Sequence, residues 1–350
     1  MIRSLEVKNF TAFSEAQFDF AKGLNVIVGE NATGKTHLLK LPYAVMAVSA
    51  EEASKHDGHK PTRTILQPRI AEKIVNVFRP DESRLGRLTR RRQGRNRCEV
   101  KVNFRQPGAS VGFNFASQNK SEVVIDRLPS KWVDRMPVFL PPRELLSIYP
   151  GFASLYERHY LEFEETWHDT CVLLGLPLQK GPRDRDIRKL LVPLEDQIGQ
   201  VVERNGRFYL RRSHLGNMEM PLVAEGWRKL AMLARLIATG SLDYRGALFW
   251  DEPESNLNPK LIREVAKAIL RVCGAGAQVF VATHSLFLFR EFEILLNSGF
   301  AEVEARYFAL RQGDDGVEIS QSDEVDAIKP LLILDEELEQ SDRFLEKFMS

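Results

Sequence analysis

One stretch constrains this chain more than any other: Gly29-Glu30-Asn31-Ala32-Thr33-Gly34-Lys35-Thr36. It has the form G-x-x-x-x-G-K-[ST]. The apolar run Leu24-Asn25-Val26-Ile27-Val28 precedes it and reads as a buried strand; His37-Leu38-Leu39-Lys40-Leu41 follows and reads as the start of a helix. Strand, loop and helix in that order are what a phosphate-cradling loop requires. The glycines let the backbone wrap closely around phosphate. The N–H groups of the loop and the first helical turn then face negative charge. Gly29, Asn31, Gly34, Lys35 and Thr36 are therefore the expected nucleotide-binding residues. Lys35 would neutralise the β- and γ-phosphates, and the Thr36 hydroxyl would be offered to Mg²⁺.

The rest of the composition narrows the class. The chain has 350 residues, 43% of them hydrophobic and 28% charged, as in an ordinary globular protein with one large or two modest domains. With a net charge of +1 there is no global field to attract nucleic acid, so any such site must be a local patch. Cys98, Cys171 and Cys273 form no C-x-x-C pair, which points away from a zinc site or a disulfide framework. No apolar run approaches the roughly 20 residues that span a bilayer. The opening Met1-Ile2-Arg3-Ser4-Leu5 lacks a signal-peptide core, so a cytoplasmic location without membrane attachment is expected.

Along the chain, residues 2–8 and 16–20 read as strands around the turn 9–13, and a helix is expected from Lys35 to Ala53. His56 and His59 lie in a breaker-rich polar loop without a carboxylate or cysteine cluster. A helix follows over 63–78. Arg84, Arg87, Arg90, Arg91, Arg92, Arg95 and Arg97 form the densest basic run, which reads either as a solvated loop or as a phosphate-contacting patch. Strands are expected at 98–104, 110–116, 121–126 and 137–140, the last halted by Pro141-Pro142-Arg143-Glu144. From Glu144 to Val202 the pattern is helical, broken between Gly175 and Gly181. Tyr149, Tyr156, Tyr160, Phe163 and Trp167 recur there at helical spacing and read most simply as core. A strand at 207–212, a helix opened by the stretch Met220–Leu230 and running to about Gly240, a strand ending in Asp251-Glu252, a helix to Arg271, a strand 278–285 and two strands at 303–310 and 316–320 complete the pattern. An acidic amphipathic helix is expected from Asp335 to Met349.

Hydrolysis of a phosphoanhydride needs the phosphates held, their charge neutralised and a water aimed in line. Asp251 at the end of an apolar strand can bind Mg²⁺ through water. Glu252 is placed to polarise the attacking water as a general base. His284, ending a later strand, can contact the γ-phosphate or that water.

These motifs together resemble the ATP-binding-cassette ATPases of the SMC/RecF kind, and most of all the short bacterial ATPases related to the OLD group. The resemblance rests on Leu5-Glu6-Val7-Lys8-Asn9-Phe10, the phosphate loop, Ala224-Glu225-Gly226, Trp250-Asp251-Glu252-Pro253, Ser255-Asn256-Leu257-Asn258-Pro259 and Ala282-Thr283-His284-Ser285. It implies an α/β ABC-type head with mixed sheets and a compact helical insert. Its parts would be residues 1–143, the insert 144–202, and 203–350 with the signature-like helix. It implies that Asp251 serves Mg²⁺, that Glu252 is the base, that His284 is the switch histidine, and that two ATP molecules are sandwiched in a homodimer between the phosphate loop of one subunit and the helix at Gly226 of the other. It also suggests an anti-phage role with a separately encoded effector nuclease. The chain departs from the pattern in three ways. The usual signature serine is Ala224 and the next residue is Glu225, which removes a hydroxyl contact to the opposite γ-phosphate. No long coiled-coil arm is present. The glutamine-loop position falls at either Gln67 or the Pro141–Arg143 corner.

Two other readings stay open. A DNA-binding repair ATPase would use the Arg84–Arg97 run. An in-chain nuclease would need a Toprim framework, which Asp314-Asp315 and Asp323-Glu324-Val325-Asp326 do not supply.

Overall fold

The structure, a computed structural model, describes residues 1–328 except 57, 91–95, 160, 180–183, 214–215 and 243–245, together with 340, 343 and 344. The acidic helix expected at 335–349 thus falls almost wholly outside the described residues, as do Arg91, Arg92, Arg95 and Tyr160.

A six-stranded sheet organises the chain. Its centre is β3 (Leu24–Gly29), which carries the phosphate loop. On one side of it lies β12 (Gln278–Thr283), then β11 (Ala247–Asp251), then β7 (Val138–Leu140), all parallel. On the other side lies β13 (Ala305–Gly313), parallel to β3, with the antiparallel edge strand β14 (Gly316–Ser322) beyond it. The strands of β3, β11 and β12 read as unbroken apolar runs because both faces are covered. Phe249, Phe280 and Ile27 face one core; Trp250, Val281 and Val26 face the other. Inside β3 the polar Asn25 is fully buried and satisfied: its side chain accepts from the Ala21 N–H and donates to the Ala21 and Val279 carbonyls.

The first core lies under a five-stranded antiparallel sheet in the order β2-β1-β4-β5-β6. It comprises β1 (Ile2–Phe10), β2 (Phe13–Asp19), β4 (Arg97–Phe104), β5 (Val111–Ala116) and β6 (Val124–Arg127). Helices α1 (Lys35–Lys55) and α2 (Arg63–Phe78) share that core.

The second core gathers α3 (Tyr149–Arg158), α4 (Glu165–Gly175), α5 (Asp184–Ile198), α6 (Glu225–Ala238), α7 (Pro259–Gly274) and α8 (Leu286–Asn297). The segment 144–202 therefore shares its apolar interior with the Asp251 strand. It is not helical to its end: β8 (Gln200–Arg204) joins β9 (Arg207–Arg212) and β10 (Gly216–Glu219) in a small antiparallel sheet. The expected aromatic stripe packs as read at Tyr149, Tyr156 and Trp167, whereas Phe163 is 43% exposed.

Helices α1, α2 and α4 meet around a buried charge. Lys73 Nζ lies 2.7 Å from Glu51, 2.9 Å from Glu165 and 2.7 Å from Asp169. The Tyr43 hydroxyl donates to the same Asp169 at 2.6 Å. Among the described residues no helix is long and apolar enough to cross a membrane.

Candidate active site

The carboxyl ends of β3, β12, β11 and β7 form one crest, and the residues after them make the site. The phosphate loop follows β3. Gly29 has φ +157°, and a Cβ there would lie 2.5 Å from the Leu310 carbonyl oxygen. Gly34 has φ +87°, and a Cβ there would sit 3.0 Å from the Phe13 ring. Both glycines are thus required by the turn itself. Lys35 Nζ curls into the loop and donates to the carbonyls of Gly29 and Glu30, both at 2.7 Å. Burial draws the Lys35 ammonium below its ordinary range, against the opposing pull of Glu252, Asp251, Glu254 and Glu30. Asn31 is exposed on the loop.

Thr36, in the first turn of α1, donates its hydroxyl to Asp251 Oδ2 at 2.8 Å across 215 residues of sequence. Asp251 is 5% exposed, and its other oxygen, Oδ1, is buried without a hydrogen-bond partner. Burial, helped by the neighbouring Glu252, pushes its carboxyl up to about 6 despite the Thr36 bond. A hydroxyl beside an orphaned carboxylate oxygen is the donor set that suits a hard divalent cation. Thr36 and Asp251 would hold Mg²⁺.

Glu252 follows with φ +45°, a left-handed backbone uncommon for a side chain of this size. Its carboxylate lies 3.2 Å from His284 Nδ1, so the expected base and the expected switch histidine are in contact. Two residues that motif reading passed over complete the arrangement. Glu254 is buried; it accepts from the Thr283 hydroxyl at 2.5 Å and from the His284 N–H at 3.3 Å, fixing the end of β12. Lys229, fully buried on α6, reaches Ser255 and the Glu252 carbonyl. The signal for Glu254 was present as a third acid just past Pro253; Lys229 carried none.

The signature-like segment opens α6, with Ala224 at the N-cap and no side-chain cap. Gly226 is held by packing: a Cβ there would meet Leu257 at 2.6 Å and Leu261 at 2.7 Å. Of the two glutamine-loop candidates, Gln67 sits on α2, where its amide oxygen accepts from the Ile125 N–H of β6. The Pro141–Arg143 corner instead ends β7, beside β11, and the Ser255 hydroxyl donates to the Pro142 carbonyl. That corner shares the crest with Asp251. The described members of the basic run are engaged with neighbours. Arg84 pairs with Glu82, Arg87 with Asp81 and Glu82, Arg90 with Asp315, and Arg97 with the Asn114 amide oxygen.

Comparison with known proteins agrees with the fold. A family model described as "AAA ATPase domain" matches residues 1–132, and one described as "AAA domain, putative AbiEii toxin, Type IV TA system" matches residues 100–290. DNA replication and repair protein RecF of Streptococcus suis is 26% identical over 163 residues, 47% of this chain and 37% of that protein. RecF of Bacillus cytotoxicus is 25% identical over 164 residues, 47% of this chain and 36% of that protein. The matched stretch thus spans little more than a third of these curated relatives. Among solved structures, an SMC head bound to the C-terminal winged-helix domain of ScpA superposes with a TM-score of 0.55 at 13% identity, covering 94% of this chain and 99% of that one. The Pyrococcus furiosus SMC head with an extended coiled coil, bound to the C-terminal domain of ScpA, gives a TM-score of 0.53 at 12% identity, covering 100% and 99%.

Proposed function

Because the chain belongs to the AAA-domain family whose model spans residues 100–290, and has the fold of an SMC/RecF-like ABC-type ATPase head, we propose that it hydrolyses ATP through Glu252 and uses that cycle to gate a homodimer. One observation carries the reading: Thr36 with Asp251, and Glu252 with His284, converge on a single crest from three separated segments.

Within this reading the residues divide the work. The loop Gly29–Thr36 binds and orients the phosphates, and Lys35 exchanges its two carbonyl partners for phosphate oxygens. Thr36 and Asp251 would hold Mg²⁺, which when bound would neutralise charge on those oxygens. Glu252 accepts the proton of the attacking water, and His284 holds the Glu252 carboxylate in place. The exposed, uncapped start of α6 at Ala224 presents backbone N–H groups and a helix dipole to the partner subunit's nucleotide, in place of the missing serine hydroxyl.

The dimer serves as a sensor or regulator for a separate partner, and anti-phage defence with an effector nuclease fits such a device. The word toxin in the matching family description supports a defence context. DNA repair is the second reading, favoured by the RecF relatives. It draws less support from the basic run, whose described arginines are spent on Glu82, Asp81, Asp315 and Asn114. Glu252→Gln tests the assignment. It should lower hydrolysis by about 10²-fold or more, retain ATP, and shift the protein to dimer in light scattering with Mg·ATP. Unchanged hydrolysis would overturn the base assignment.

A further inference from the structure

Among the described residues Lys229 is the one lysine with no exposed surface, and none of the roles assigned to the phosphate loop, Asp251, Glu252 and His284 draws on it. No carboxylate of the described residues pairs with it in a salt bridge. Its three donors go instead to neutral acceptors: the Ser255 carbonyl at 2.7 Å, the Ser255 hydroxyl at 2.6 Å and the Glu252 carbonyl at 3.4 Å. A cation buried among carbonyl dipoles is a costly arrangement, so what it holds matters.

What it holds is the backbone of the expected general base. Glu252 sits at φ +45° and Asn256 at φ +61°, two left-handed residues in one short loop. Such backbone persists only where its surroundings over-determine it. The Glu252 N–H is fixed by the Ala282 carbonyl at 2.8 Å. Its carbonyl receives the Ser255 N–H at 3.1 Å, the Lys229 ammonium, and a share of the single Ser255 hydroxyl proton, which lies between it at 2.9 Å and the Pro142 carbonyl at 3.0 Å. Of the three donors to the Glu252 carbonyl, Lys229 alone comes from outside the loop 252–258; it projects from the second turn of α6. Two further contacts tie the same pair of segments: the Asn256 amide donates to Glu225 at 3.2 Å, and Gly226 packs on Leu257 and Leu261.

We propose that Lys229 is a positioning residue for ATP hydrolysis, clamping the left-handed backbone of Glu252 and the loop to Asn258 onto the first turns of α6. Any displacement of the start of α6 is then passed to the base. This rests on the hydrolytic reading of Glu252.

The obvious alternative is a lysine that only fills the core. The two make opposite forecasts for Lys229→Met, a substitution of similar length without donors. Replacing a buried ion by a well-packed apolar residue is often neutral or stabilising. A filler would therefore leave hydrolysis intact. A clamp should lose kcat by roughly 30-fold, with ATP affinity within threefold of the parent and with thermal stability kept. Displacements near 1 Å at a reacting group cost about that much. In a Glu252→Gln background the same change should cost less than twofold, because the group it positions is gone. Hydrogen exchange on the nucleotide-free protein gives a readout independent of turnover: amides 252–258 should exchange at least tenfold faster in Lys229→Met, while α7 is unaltered. An equal loss in both backgrounds, or unaltered exchange at 252–258, overturns the proposal. Parent protein without ATPase activity would overturn the hydrolytic reading instead, and the exchange experiment would still decide whether Lys229 clamps the loop.

Discussion

Two buried lysines separate what holds this molecule together from what sets its chemistry. Lys73 is 2% exposed and Lys229 is not exposed at all, so both ammonium groups are stripped of most of their water. Around Lys73 stand Glu51, Glu165 and Asp169, with Tyr43 bracing Asp169. Burial pulls its ammonium down, but the three carboxylates overcome burial and leave it above the ordinary lysine range. Around Lys229 stand carbonyls and a hydroxyl, with Glu225, Glu254 and Glu252 at longer range. There burial wins, and the ammonium is drawn down to about 8. Opposite charges in contact outweigh desolvation, whereas dipoles at similar distances do not. The first lysine joins α1, α2 and α4. The second joins α6 to the base.

The largest effect should come from the first. Lys73→Met leaves Glu51, Glu165 and Asp169, whose oxygens lie within 4.8 Å of one another, facing an apolar side chain. Removing one member of a buried ionic group costs about 3–5 kcal/mol. Urea unfolding should show a midpoint far below the parent's, in contrast to the neutral or favourable change expected for Lys229→Met. A loss below about 1 kcal/mol would erase the distinction between the two sites.

That distinction was invisible before folding. The phosphate loop and the Asp251-Glu252 strand were legible because each motif is contiguous, and because parallel strands covered on both faces show as apolar runs. The pairing of Thr36 with Asp251 was expected from resemblance, and the fold supplies the contact. Other parts had little or no local mark. Leu286-Phe287-Leu288-Phe289 is separated from the apolar run of β12 only by Thr283-His284-Ser285, and the one mark of α8 was Ser285, whose hydroxyl caps it by accepting from the Leu288 N–H. The strands β8 and β10 are mostly exposed and show little apolar alternation, so the small sheet had no period to reveal it. The Pro141–Arg143 corner could not be ranked above Gln67 until β7 paired with β11, over a hundred residues away. Lys73 and Lys229 read as ordinary helix-surface lysines; only the elements packed over them give them roles.

A smaller effect should appear with pH, and its sign differs between the two lysines. Lys229 titrates near 8 in the folded chain, against about 10.4 when unfolded. Between those values the native state binds fewer protons than the unfolded one, so the parent gains stability as pH rises. Lys229→Met has no such group. Any stability advantage it holds at pH 7 should therefore shrink by about 2 kcal/mol by pH 10. Lys73 is raised rather than lowered, so its stabilisation is fully present below the ordinary lysine range and is lost only above it. The deficit of Lys73→Met should stay level from pH 7 to 10. Urea midpoints at pH 7, 8, 9 and 10 for the three proteins test both slopes. Parallel slopes would mean that the two lysines titrate alike.

The smallest effect concerns the packing that runs beside the Lys229 clamp. Gly226→Ala places a methyl group 2.6 Å from Leu257 Cδ2 and 2.7 Å from Leu261 Cδ1. Both are ends of flexible side chains, so they can rotate aside. Overpacking costs about 1 kcal/mol or slightly more, and replacing glycine by alanine inside a helix returns up to about 1 kcal/mol. Net stability should thus stay within about 1 kcal/mol of the parent. Hydrolysis should fall by only roughly threefold, because the loop shifts by tenths of an ångström while the Lys229 bonds persist. A loss as large as that of Lys229→Met would reverse the assignment. It would mean that apolar contact of Gly226 with Leu257 and Leu261, rather than the hydrogen bonds of the buried lysine, fixes Glu252 to α6.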